Sequence, residues 1–188
     1  MPEVPNKAVF LDRDGVLNRA LIRDGRPYPP ASLVELEVLP DVKSACAALR
    51  EAGYLLVMVT NQPDIARGKQ TREAVDEMNA WLARELGLDA VCVCPHDDPD
   101  QCECRKPKPG LLLQAARELE IDLGQSFLVG DRWRDIEAGR RAGVRSILID
   151  YQYQEKHSIV PDHTVQNLAE AADWILTQTL TEQSDPRR

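Results

Sequence analysis

Two carboxylates one residue apart, Asp12 and Asp14, follow directly on the apolar run Ala8-Val9-Phe10-Leu11 and precede Gly15. On an extended backbone, residues two apart face the same side. Two clustered carboxylates are costly unless a cation neutralises them, and Mg²⁺ suits oxygen ligands. Gly15 permits a turn that a side chain would resist. An Asp-x-Asp-Gly string alone also suits a surface turn or a Ca²⁺ loop. Its meaning therefore depends on what the rest of the chain brings to it.

Further stretches carry chemistry of their own. Thr60 and Asn61 close a second apolar run, Lys106 sits in Arg105-Lys106-Pro107-Lys108-Pro109, and Asp131 follows Val129-Gly130 with Asp135 four residues on. Together these supply a carboxylate nucleophile, a nearby acid, hydroxyl and backbone donors, a cation and further metal-binding carboxylates. Transfer of a phosphoryl group through an aspartyl-phosphate requires that set. A loop from Cys94 to Cys104 adds Cys94, His96, Cys102 and Cys104. Three thiolates and an imidazole match a closed, structural zinc set. The Cys-x-His and Cys-x-Cys pairs are tighter than common zinc-finger spacing, and free thiols on an acidic loop are the other reading of the spacing. Arg67, Lys69, Arg105, Arg132 and Arg134 lie near these motifs. Loop cations ordinarily aid solubility; Arg105, adjoining Lys106 and the Cys/His loop, is placed to grip a second phosphate or a sugar hydroxyl.

Those groups need strands to present them. Residues 7–11, 54–60, 90–93, 126–129 and 146–149 read as strands. Residues 41–52, 71–86, 109–120, 134–142 and 168–180 read as helices, with Gly53, Gly87 and Gly143 as stops. Residues 18–39, rich in Pro and Arg, read as a long functional loop with a turn of helix near Ala31. Residues 150–164 read as irregular and 181–188 as a disordered tail. Strands alternating with helices predict an α/β fold, a doubly wound, mostly parallel sheet covered on both faces. In such a sheet the carboxyl ends of the strands lie along one edge, where ligands bind. One domain spans 1–188, with its core over 7–180. No length remains for a separate cap domain. Cys46, Cys92, Trp81 and Trp174 read as core, His157 and His163 as surface, and Trp133 as ambiguous.

Composition sets outer bounds. The 188 residues are 43% hydrophobic and 29% charged, with a net charge of −8, which is ordinary for a globular protein. That charge argues against general nucleic-acid binding, and no apolar run is long enough to span a membrane. The N-terminus lacks signal-peptide features, so a cytoplasmic monomer is the expectation. Five cysteines in a reducing compartment suggest metal or buried thiols.

Asp12-Arg13-Asp14-Gly15, Thr60-Asn61, Lys106 and Gly130-Asp131 with Asp135, in that order, resemble the four motifs of the haloacid dehalogenase superfamily. The resemblance covers residues 7–150. Asp12-Arg13-Asp14-Gly15-Val16-Leu17-Asn18, Thr60-Asn61-Gln62, Ile65-Ala66-Arg67-Gly68 and Cys102-Glu103-Cys104-Arg105-Lys106-Pro107 look closer to the branch of heptose-bisphosphate phosphatases. The short His96–Cys102 spacing looks more like the related histidinol phosphatases. The resemblance implies that Asp12 attacks phosphorus and that Asp14 protonates the leaving oxygen and later activates water. Asp12, Asp131 and the main-chain carbonyl of Asp14 would hold Mg²⁺. Thr60 and Lys106 would stabilise the transferring group. Arg13, Asn61, Gln62, Arg67, Arg105 and Arg132 are the candidate substrate contacts. The implied activity is removal of the 7-phosphate from a heptose 1,7-bisphosphate. Histidinol-phosphate hydrolysis and a catalytically silent phosphosugar-binding protein are the alternatives. The implied partner is a small phosphorylated sugar.

Overall fold

The computed structural model describes residues 5–23, 26–153 and 159–183. Its centre is β1 (Lys7–Leu11), parallel to β4 (Tyr54–Asn61) on one side and to β6 (Phe127–Gly130) on the other. Beyond β4 lies β5 (Ala90–Cys94); beyond β6 lie β7 (Arg145–Ile149) and β8 (His163–Val165). The sheet order is β5-β4-β1-β6-β7-β8, and every pairing in it is parallel. The chain winds outward from β1 first one way and then the other. The carboxyl end of β1 therefore lies where an open sheet forms its crevice.

Strand residues alternate between two cores. Val9, Leu11, Leu56, Met58, Phe127 and Val129 pack with α1 (Val42–Glu51), the C-terminal half of α2 (Arg72–Leu86) and α5 (Leu168–Gln183). Ala8, Phe10, Val57, Val59 and Leu128 face the other way, onto α3 (Gly110–Glu118) and α4 (Trp133–Ala142). This period-two alternation, apolar on both faces, is why the strands read as nearly continuous hydrophobic runs. Helix α2 starts where the Thr71 hydroxyl accepts from the Ala74 amide and ends at Gly87, whose φ is 65°.

Two loop readings need correction. Among its described residues the stretch 18–39 contains no helix; β2 (Leu21–Arg23) and β3 (Arg26–Tyr28) form a small antiparallel ribbon. Three-residue strands carry no usable periodicity, and Pro27 is tolerated because the ribbon has open edges. The stretch 150–164 ends in β8, and His163 stacks on the Trp174 ring at 4.8 Å and 8° instead of lying free on the surface. Trp81 and Trp174 pack partly buried against the core, as expected. Cys46 is buried, Cys92 half-buried, and Trp133 sits beneath the Arg134 guanidinium. Residues 181–183 of the expected tail continue α5, while His157 and residues 184–188 lie outside the described residues. Among the described residues, no helix is long and apolar enough to cross a membrane.

Candidate active site

The backbone leaves β1 through Asp12, whose amide donates to the Val129 carbonyl at 3.0 Å, and then turns sharply. Gly15 makes the turn, with φ 92°; a Cβ there would lie 2.2 Å from Asp131 Oδ2. The loop thus presses against the end of β6, and only a glycine allows the approach. Gly130 has the same function one strand over, since a Cβ would meet the Asp135 Cβ at 2.2 Å.

Three carboxylates converge at this point. Asp12, Asp131 and Asp135 each place an oxygen within 4.8 Å of the others. Lys106 enters from the segment before α3 and is 2% exposed. Its ammonium donates to Asp12 Oδ1 at 2.8 Å and to the Val59 carbonyl at 2.7 Å, and pairs with Asp135 Oδ1 at 2.5 Å. Burial alone would push this lysine down, but Asp12 and Asp135 together hold it above the usual lysine range. Burial also lifts the Asp12 carboxyl to about 6, against the pull of Lys106. Three oxygen acceptors surround the single ammonium and keep the lysine charged; the cost of crowding falls on the carboxylates. Asp131 bears most of it: burial, then Asp12 and Asp135, push it well above the carboxylate range.

Both Asp131 oxygens are buried without a hydrogen-bond partner. Buried carboxylate oxygens in that state call for a cation, and an all-oxygen donor set suits Mg²⁺. The residues present therefore fit a divalent ion. The Asp14 side chain stands outside the trio, whose third carboxylate is Asp135; the ligand expected from Asp14 is its main-chain carbonyl.

Asp12, Asp14, Asn61, Lys106, Asp131 and Arg132 line one open cleft of ≈ 410 Å³, together with Arg67, Arg105 and Arg134. Asn61 fixes the floor by a reciprocal pair with the Lys106 backbone, at 3.0 and 3.1 Å. The ribbon contributes Pro27, Tyr28 and Pro29, and Tyr153 lies after β7. Two candidate contacts, Arg13 and Gln62, and the candidate phosphoryl stabiliser Thr60 are placed differently. Arg13 and Gln62 are wholly buried and Thr60 nearly so, and none of them lines the cleft. They bond to one another and to Asp14 instead: Gln62 Nε2 donates to Thr60 Oγ1 and to Asp14 Oδ2, each at 2.8 Å.

Arg105 is not a free cation. It donates to Asp98 Oδ1 at 2.7 Å, to the His96 carbonyl at 3.1 Å and to Asp97 Oδ1 at 3.4 Å. Arg67 grips Asp97 with two bonds, at 2.6 and 2.7 Å, and Arg134 grips Asp98 at 3.2 Å. The Arg67 guanidinium holds the Asp97 carboxyl down at about 2.

The Cys/His loop gathers as expected. Sγ and Nδ1 atoms of Cys94, His96, Cys102 and Cys104 lie 3.2–3.8 Å apart in their close pairs, with no disulfide among them. Four such atoms around one point fit a tetrahedral ion at Zn–S and Zn–N lengths. Cys92 is not a member.

A family model described as haloacid dehalogenase-like hydrolase matches residues 30–143. A D-glycero-beta-D-manno-heptose-1,7-bisphosphate 7-phosphatase of Haemophilus influenzae is 39% identical over 151 residues, covering 74% of this chain and 79% of that protein. One from Helicobacter pylori is 37% identical over 180 residues, covering 90% and 97%. The crystal structure of D,D-heptose 1,7-bisphosphate phosphatase from B. bronchiseptica, complexed with magnesium and phosphate, superposes with a TM-score of 0.80. That structure is 31% identical, and the match covers 92% of this chain and 99% of that one.

Proposed function

Because the chain belongs to the haloacid dehalogenase-like hydrolases, we propose that it is a Mg²⁺-dependent phosphatase. Its proposed reaction is removal of the 7-phosphate from D-glycero-D-manno-heptose 1,7-bisphosphate through a phosphorylated Asp12. The observation that carries this is the juxtaposition of Asp12, Lys106 and the unpartnered Asp131 carboxylate at the end of β1, with Asp14 on the same cleft. The named relatives support the substrate.

In this reading an Asp12 carboxylate oxygen attacks the 7-phosphorus. The bond from phosphorus to the sugar oxygen breaks, its electron pair stays on that oxygen, and Asp14 supplies the proton. A water then gives a proton to Asp14 and attacks the same phosphorus. The acyl–phosphate bond breaks, returning the electron pair to Asp12 and releasing inorganic phosphate. Lys106 offsets the charge that gathers on the phosphoryl oxygens. Thr60, whose oxygen accepts from Gln62, lies behind the cleft and would act through the Gln62–Asp14 network. Asp12, Asp131 and the main-chain carbonyl of Asp14 would hold Mg²⁺, with the Asp135 carboxylate beside them; the ion would screen Asp12 from the incoming phosphate and polarise that phosphate. Cys94, His96, Cys102 and Cys104 would hold a structural Zn²⁺.

The deciding experiment compares kcat/KM, with and without Mg²⁺, for the heptose bisphosphate and histidinol phosphate. Mg²⁺-dependent release of the 7-phosphate at the higher efficiency is expected. Equal or better efficiency on histidinol phosphate overturns the substrate, and no phosphate from either, or from an aryl phosphate, overturns the activity.

A further inference from the structure

Among the described residues, Arg13 is the largest side chain with no exposure. A buried guanidinium only donates, so each edge of its fork needs an acceptor. Its Nε donates to both Asp14 oxygens at 3.2 Å, and Nη2 lies 3.0 Å from Asp14 Oδ2. The other acceptors are Gln62 Oε1 for Nη2 and Asn79 Oδ1 for Nη1, each at 3.0 Å. Gln62 Nε2 and Asn18 Nδ2 then close on Asp14 at 2.8 and 3.0 Å. Both oxygens of Asp14 are thus held from behind while the carboxyl still borders the cleft.

Asn79 is the outlier in this set. It comes from α2, far from every motif, beside Val75, Met78 and Leu82 on the buried side of the helix. It is 2% exposed and its Nδ2 has no hydrogen-bond partner. A leucine there would pack without an orphaned donor. The amide orientation is settled by Arg13, which can face only an oxygen. From this geometry we propose that Asn79 is a positioning residue: acting through Arg13, it holds the Asp14 carboxyl where it exchanges protons with the leaving oxygen and with water. A planar fork anchored at Asn79 and Gln62 cannot swing, so the carboxyl on its third edge cannot either. The inference rests on the acid–base role proposed above for Asp14.

The leaving group makes the test specific. A sugar alkoxide needs a proton as it departs; p-nitrophenolate does not. Water attack on phospho-Asp12 is common to both substrates, so only the first step, pre-steady-state release of the sugar monophosphate or of p-nitrophenolate, is measured for wild type, Asn79→Leu, Asn79→Asp and Asp14→Asn. Any misfolded fraction lowers both signals equally, so their ratio reports proton transfer to the leaving oxygen alone. Asn79→Leu should slow that step on the sugar phosphate about tenfold or more, with the aryl phosphate step in place, since positioned acid–base groups contribute roughly 10²–10⁴-fold. Asn79→Asp keeps an acceptor at the same reach and should retain the ratio. Equal loss on both substrates in Asn79→Leu, or no loss on either, overturns the assignment while Asp14→Asn still shows the selective loss. If Asp14→Asn itself keeps the wild-type ratio, the acid–base reading of Asp14 falls, and this inference with it.

Discussion

Replacing Lys106 with Met removes the ammonium that the carboxylate trio depends on. Lys106 is buried, reaches Asp12 and Asp135 directly, and shares their cluster with Asp131. With all three acids ionised, negative charge already exceeds positive by two; the variant makes the excess three. Methionine fills nearly the same volume, so the loss is electrostatic and not a cavity. Removing one member of a buried ion pair costs about 3–5 kcal/mol. At about 2–4 °C per kcal/mol for a chain of this size, Tm in Mg²⁺-free buffer should fall by roughly 6–20 °C. Mg²⁺ acts the other way. A ligand that binds only the folded state adds about 2.7 kcal/mol at a hundredfold excess over Kd. The lysine repels a cation in the same cluster, so its loss should raise Mg²⁺ affinity. The variant should therefore gain more Tm from Mg²⁺ than the wild type does, while phosphate release is lost. Thermal unfolding followed by circular dichroism, without chelator so that the cysteine cluster is undisturbed, reads both effects. An unchanged Tm without Mg²⁺, or a Mg²⁺ gain no larger than that of the wild type, would refute the counter-charge argument.

Asp12→Asn should abolish turnover and leave the fold intact, because an amide is not a nucleophile here; a near wild-type rate would end the covalent mechanism. The same variant gives a pH test. The folded Asp12 carboxyl titrates at about 6, above its ordinary 3.8. Its protonation therefore contributes stability that is full below about pH 4 and lost as pH rises through about 6. In Mg²⁺-free buffer Asp12→Asn should gain on the wild type across that window, and parallel Tm–pH curves would contradict the assignment. The purified protein should carry about one zinc per chain; metal analysis finding none, with Cys94, Cys102 and Cys104 all reactive to thiol reagents, would remove the site. Cys102→Ser should lower stability before it alters chemistry, and lost activity at unchanged zinc content would show that the loop does more than brace.

The layered fold could be read from the chain because both faces of each central strand are buried, leaving uninterrupted runs such as Val57-Met58-Val59 with helices between. The ends of those runs then marked Asp12, Thr60 and Asp131 as neighbours, with Lys106 just before the third helix. What escaped reading is what depends on direction. Arg13 and Gln62 flank the proposed catalytic positions, yet each side chain is buried and lines no part of the cleft; a cation or an amide beside a motif looks the same either way. Asn79 gave no signal, since a single amide on a helix is unremarkable until the guanidinium facing it is known. Asp135 could be seen as close, but not as a member of the trio, because that depends on Gly130 letting α4 approach. Arg105 read as a free cation because the acids that hold it, Asp97 and Asp98, were counted only as part of an acidic loop.

Those acids change how the cleft discriminates substrates. Arg67, Asp97, Arg105, Asp98 and Arg134 form an alternating chain of charges from the end of β4 to the start of α4. The Cys/His cluster pins its middle, since Asp97 follows His96 directly and Arg105 follows Cys104. A second phosphate therefore meets arginines already aimed at the cleft, and pairing with it means exchanging a carboxylate partner. Partly exposed pairs of this kind are worth about 0–1 kcal/mol, whereas a charge-assisted bond to phosphate is worth about 1.5–3 kcal/mol. The exchange remains favourable by roughly 0.5–3 kcal/mol, a factor of about 2–100. Preference for a bisphosphate over a monophosphate should be of that size, smaller than bare arginines would give. In return the arginines stay ordered when no substrate is bound, so little side-chain entropy is lost when one arrives.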